Sequence, residues 1–112
     1  MDSTRQKKVS RLLQKELATL FQRESRNLFE GGFITVTVVR VSPDLSTAKI
    51  YLSLFGVKDT SALLALIKDQ TKVIRTKLAE KIKSQVRVIP HLDFFIDDSL
   101  DYAEKIENLL KK

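Results

Sequence analysis

Apolar residues along the chain change their period twice before residue 60. Val9, Leu12, Leu13, Leu17, Leu20, Phe21 and Leu28 recur at helical spacing, which predicts an amphipathic first helix. Ser3 or Thr4 can cap it. Glu30-Gly31-Gly32 stops it, because Gly takes the left-handed position after a helix at least cost. From Phe33 the period falls to two. ITVTVVRV and TAKIYLSLF are β-branched and read as strands, the second setting Ala48, Ile50, Leu52 and Leu54 on one side. Ser42-Pro43-Asp44-Leu45-Ser46 between them is turn chemistry, so the two strands form an antiparallel hairpin. In the first strand the alternation slips between Val38 and Val39, as a bulge or burial on both sides would require.

From Asp59 to Arg87 neither Gly nor Pro interrupts a helical pattern. Leu63, Ile67, Thr71, Ile74, Leu78 and Ile82 form its apolar stripe. Turning about 100° per residue puts Lys68, Lys72, Arg75, Ala79 and Lys83 together on one flank. Next, Val86, Val88, Pro90, Leu92, Phe94 and Ile96 alternate strictly, which predicts one strand running through Pro90 on an edge or at a bulge. A strand–helix–strand order returns the chain in the same direction, so one pair in the sheet should be parallel. Asp97-Asp98-Ser99 supplies caps for a last helix with Leu100, Ala103, Ile106, Leu109 and Leu110 at helical spacing. Ile50, Leu52 and Leu54 are expected to bury against Leu17, Ile67, Ile74 and Leu78.

A straight helix from Asp59 to Ser84 would be about 39 Å long. A domain of this size has a radius of gyration of about 13 Å, so such a rod would overhang its own core. Apolar residues also lapse over Lys68 to Lys72. A bend or break centred on Gln70 to Lys72 is expected.

Composition narrows the chemistry. The 112 residues suit a single domain, with 43% apolar and 30% charged residues, too apolar for disorder. Having no cysteine, the chain can form neither a disulfide nor a thiolate metal site, which agrees with a reducing compartment. No apolar run approaches a membrane span, and the first ten residues lack a signal-peptide core. A cytoplasmic protein is expected. His91 is the sole histidine and has no Cys to share a metal with. Asp97 and Asp98 are explained by capping. Phosphate-binding loops, nucleophile elbows and metalloprotease motifs are all missing, so the chain carries no catalytic signature and calls for no cofactor or small-molecule substrate.

Charge is the informative quantity. Seven basic and two acidic residues lie between Lys68 and Arg87, a net +5 against +6 for the whole chain. That is the electrostatic footprint of a surface for a polyanion, set against the ordinary alternative of a solvated helix face. Arg5, Lys7, Lys8 and Arg11 form a second basic bunch, while residues 91–112 carry net −3.

The order helix, strand, strand, long helix, strand is similar to the type II K-homology fold, an α+β nucleic-acid-binding arrangement. VVRVSPDLSTAKIYLS, VIRTKLA, VRVIPHLDFFIDDSLDYAEKIENLL and the opening RQKKVSRLLQKELATLF resemble the bacterial ribosome-binding factor A family over nearly the whole chain. The resemblance implies a monomeric, non-catalytic assembly factor. Such a factor binds the maturing small ribosomal subunit and its rRNA, assists late folding and rRNA processing, and helps growth in the cold. It also implies a three-stranded mixed sheet with helices on one face and a kinked long helix. The family kinks that helix with A-x-G, where this chain reads Gln70-Thr71-Lys72. The RNA-binding residues expected are Lys68, Lys72, Arg75, Lys83 and Arg87, with Lys7, Lys8 and Arg11. Lys68, Lys72, Arg75 and Lys83 are read as a solvent-facing strip, and charge reversal of Lys72 and Arg75 is expected to leave stability nearly unchanged. The alternative is a protein-interaction module with incidental RNA affinity.

Overall fold

A computed structural model describes residues 3–97. In chain order the elements are α1 (Thr4–Leu28), β1 (Phe33–Val41), β2 (Thr47–Phe55), α2 (Thr60–Asp69), α3 (Thr71–Ile82) and β3 (His91–Ile96). The sheet order is β1-β2-β3, with β1 antiparallel and β3 parallel to β2. This is the expected α+β arrangement and mixed sheet. The last helix expected from Leu100 onward lies outside the described residues.

Each boundary has a local cause. Ser3 caps α1, accepting from the Gln6 N–H while the Gln6 side chain accepts from the Ser3 N–H, a reciprocal capping box. The same Gln6 is buried, and its amide donates to the Val41 carbonyl at 2.9 Å. One side chain thus ties the start of α1 to the end of β1. After α1 the backbone turns left-handed at Glu30 and Gly31 (φ 53° and 78°). A Cβ on Gly32 would stand 2.7 Å from a Leu63 methyl and 3.3 Å from the Phe29 carbonyl oxygen, so a larger residue there would require the Leu63 side chain to shift.

The hairpin turn is organised by Asp44. Its Oδ1 accepts from the Ser42 and Ser46 hydroxyls, both at 2.7 Å, and from the Ser46 N–H at 3.1 Å. The bulge falls one residue earlier than the alternation suggests. Thr37 is skipped between the pairs Val36–Leu52 and Val38–Tyr51, which lets Val36 and Val39 both reach the core. Gln14 of α1 donates to the Val36 carbonyl at 3.2 Å, taking up an acceptor beside the irregularity.

The long helix breaks where expected. Gln70 ends α2 and begins α3 with φ −93° and ψ 10°, the sparsely allowed bridge region. No small residue is needed. The Thr71 hydroxyl donates to the Lys68 carbonyl at 2.7 Å and lies 3.4 Å from that of Ile67, and such back-bonding by Thr bends helices. Leu63, Ile67, Ile74, Leu78 and Ile82 are buried on one core with Leu17, Ile50, Leu52 and Leu54, as the spacing predicts.

The third strand differs from expectation. It starts at His91 rather than Val86, and Val88 is 66% exposed. The register explains this. His91 lies opposite Thr47, the first residue of β2, so residues before it have no strand to pair with. Pro90 has no N–H to donate, and the interstrand bonding opens with His91 N–H to the Ser46 carbonyl at 2.8 Å.

Two outcomes test this packing. Leu52 is fully buried, so Leu52→Ala should cost about 2–5 kcal/mol in chemical denaturation. The three hydrogen bonds to Asp44, foremost from the Ser46 and Ser42 hydroxyls, hold its pKa down from 3.8 to about 2. Its ionised form therefore stabilises the fold fully above 3.8, and that contribution is lost as pH falls through about 2. Carboxyl-detected NMR titration should place the Asp44 inflection near pH 2 and move it upward in Ser46→Ala.

Candidate nucleic-acid interface

The basic residues singled out by sequence all lie at the surface. Lys7, Lys8 and Arg11 occupy the first turns of α1, and Lys68 and Lys72 flank the break. Lys83 follows α3, and Arg87 lies in the segment leading to β3. Among the described residues none of the eight forms an ion pair with a carboxylate. The α3 cation that does is Lys77, whose Nζ is 3.4 Å from Glu24 and links α3 to α1.

The fold brings part of this set together. Arg5, Lys8, Pro43 to Ser46 and Gln85 to Val88 line one groove of about 610 Å³. The start of α1, the hairpin turn and the segment after α3 therefore meet, and Arg87 joins the α1 bunch across a space whose one lining carboxylate among the described residues is Asp44. Arg5, which sequence placed in that bunch without naming it a contact, belongs to this group. Lys68 is set apart with His91 and Phe95 in a shallower depression beside β3. Ala79 is only half-buried, so a small residue interrupts the cationic flank of α3.

Arg75 requires a correction. Its Nε donates to the Pro90 carbonyl at 3.1 Å, and its terminal nitrogen to the Ile89 carbonyl at 2.6 Å. These are acceptors that β2 cannot satisfy, since it begins opposite His91. Arg75 thus holds the approach to β3, and its charge sits over backbone oxygens instead of standing free. The other residue weighed from sequence, His91, has Nε2 3.6 Å from Asp93 at the surface, a local contact and no ligand set.

Element order, mixed sheet and broken helix together define a K-homology-like α+β fold of the second type. A crystal structure of ribosome-binding factor A from Thermus thermophilus is similar, with TM-score 0.67 at 22% identity over 81% of this chain and 94% of that one. A homology model of T. thermophilus ribosome-binding factor A, fitted into a cryo-EM map of a 30S complex with that factor, superposes with TM-score 0.59. Its identity is 27% over 75% of this chain and 86% of its own. A curated ribosome-binding factor A from Cytophaga hutchinsonii is 51% identical over all of this chain and 84% of its own length. The model of the ribosome-binding factor A family matches residues 5–110. The chain belongs to the ribosome-binding factor A family.

The Arg75 assignment separates folding from binding. Arg75→Glu should lower stability by on the order of 1–2 kcal/mol, because two carbonyls lose a charged donor. Lys72→Glu, at an exposed position without an ion pair among the described residues, should stay within about 0.5 kcal/mol of the parent. Urea unfolding midpoints of the two variants decide between them.

Proposed function

We infer that this chain is a non-catalytic assembly factor that binds the maturing small ribosomal subunit through its rRNA and assists late folding and processing of that RNA. One observation carries the reading: Lys7, Lys8, Arg11, Lys68, Lys72, Lys83 and Arg87 are all exposed and lack carboxylate partners among the described residues. Unneutralised cations do little for stability and attract a polyanion. Family membership and the similar protein seen with the 30S subunit supply the polyanion's identity. Arg5, Lys8 and Arg87 converge on one groove, which suits a phosphate backbone running between α1 and the segment after α3.

Among the described residues no aromatic side chain lines that groove, so contacts there are to phosphate and sugar, which position an RNA without reading its bases. Specificity then comes from the shape of the subunit. Arg75 contributes through the backbone it holds, which sets the course of the segment bearing Arg87.

Cosedimentation with small subunits tests this. A Lys72→Glu, Lys83→Glu, Arg87→Glu chain should unfold like the parent and bind clearly more weakly. Its plot of log affinity against log salt should be shallower by roughly 0.7 to 0.9 for each phosphate that is no longer neutralised. Equal affinity and equal slope would move the RNA surface elsewhere and favour a protein-interaction module.

A further inference from the structure

Along the free edge of β1, side chains of α1 answer backbone carbonyls that no strand pairs with. β1 has β2 as its one strand neighbour among the described residues. The Leu52 carbonyl accepts from the Asp97 N–H at 2.7 Å, so Leu52 turns its backbone groups away from β1. Its partner Val36 turns its own to the outer edge, where Gln14 donates to the Val36 carbonyl at 3.2 Å. Backbone direction alternates along a strand, so Gly32 and Ile34 share that side. Ser25 donates to the Gly32 carbonyl at 2.8 Å, and Gln6 to that of Val41 at 2.9 Å. Among the described residues Ile34 receives no such bond from α1. The residue between Gln14 and Ser25 on that flank of the helix, at spacings of four and seven, is Ala18. Its methyl has no donor to offer.

A groove of about 820 Å³ opens at this gap, with the strand edge from Gly31 to Val36 as one wall and α1 from Ala18 onward as the other. Arg23 and Arg26 stand on the α1 wall, and no carboxylate lines the groove among the described residues. Arg23 lies 3.9 Å from Glu24, while Arg26 has no ion pair among the described residues. Phe33, 68% exposed, lines the strand side. We propose that this groove receives an extended, acidic segment of a partner protein, added as a further strand along β1. An unpaired edge offers a donor and an acceptor from the same residue, and a second backbone answers both. From Gly32 to Val36 the edge runs about 13 Å at about 3.3 Å per residue, enough to pair a short strand. Arg23 and Arg26 favour carboxylates on that strand, and Phe33 favours a β-branched side chain beside it.

The competing occupants fit less well. A phosphate backbone accepts hydrogen bonds without donating any, so it leaves the Ile34 carbonyl unanswered. A second copy pairing edge to edge would bring the arginines of both chains into one groove. The proposal goes beyond the RNA reading, whose α1 cations lie at the other end of that helix.

An NMR titration of the full, isotope-labelled chain tests it, the probe being a blocked synthetic peptide that alternates valine with glutamate. The Ile34 and Val36 amide signals should shift, and their protons should exchange with solvent several-fold more slowly. The same peptide methylated at its central backbone nitrogens should leave them unmoved, because it cannot complete the ladder. Ala18→Gln places a side chain like that of Gln14 in the gap, at an exposed helix position. It should unfold like the parent and lose most of the peptide response. Arg26→Glu, also exposed, should weaken the peptide several-fold. Four results would overturn the proposal. The first is no response at Ile34 and Val36, or one confined to Lys7, Lys8 and Arg11. The second is equal binding of the methylated peptide or by Ala18→Gln. The third is movement of the two edge amides with chain concentration alone, which would indicate a second copy. The last is movement of those amides with a single-stranded RNA oligonucleotide and none with the peptide.

Discussion

The parallel pairing of β3 with β2 is the constraint on which the rest of the structure depends. His91 must lie beside Thr47, yet β2 delivers the chain at Phe55, the far end of the sheet. Everything from 56 to 90 exists to carry it back. The connection must span the length of the sheet while burying one apolar stripe, which a helical crossover does. It must also end at the right height for the first interstrand bond. The break at Gln70 lets Leu63 and Ile67 face one part of the core and Ile74, Leu78 and Ile82 another. Arg75 completes the return by holding the Ile89 and Pro90 carbonyls, so that His91 arrives in register.

This explains why a cation on the basic flank of α3 serves the fold. A carbonyl left unpaired beside a sheet costs free energy, and the residues before His91 have no strand to answer them. Arg can reach two acceptors at once with a planar, permanently charged donor set, which Lys cannot. The remaining candidate cations of α3 and α1 have no such acceptors among the described residues and lie exposed. One helix flank thus carries both kinds of residue, and sequence does not distinguish them. The distinction lies in where two distant carbonyls end up.

Legibility follows the range of the interaction. The hairpin, the capping of α1 and the buried stripe of α2 and α3 depend on neighbours within a few residues, and their spacing shows in the chain. The bulge lies one residue from where alternation puts it because Val36, Val38 and Val39 are chemically alike, and only pairing with Leu52 and Tyr51 reveals that Thr37 is skipped. The beginning of β3 differs because alternation through Pro90 reports which side a residue faces, not whether a partner strand extends that far. The convergence of Arg5, Lys8 and Arg87 on one groove joins residues about eighty positions apart and needs the fold. Phe33, Phe55 and Phe95 occupy the other half of each alternation, where a polar set is the ordinary expectation, and only the register shows that Phe33 lies opposite Phe55 and Phe95 beside Tyr51.

The two faces of the sheet have opposite chemistry, and this bears on how the fold can serve a ribosomal partner. On the helical side the cations stand in water, with Lys68 beside Phe95 in a shallow depression. On the outer side, rings gather with a mixed and nearly balanced set of charges. A surface that binds an extended polyanion gains from leaving charge unpaired in water, because releasing counterions supplies the affinity. An apolar face gains by being covered, because each exposed ring keeps water ordered at a cost that burial removes. Separating the two lets each be satisfied without compromising the other. The helical side presents exposed cations, and the sheet presents Phe33, Tyr51 and Phe95 on the other.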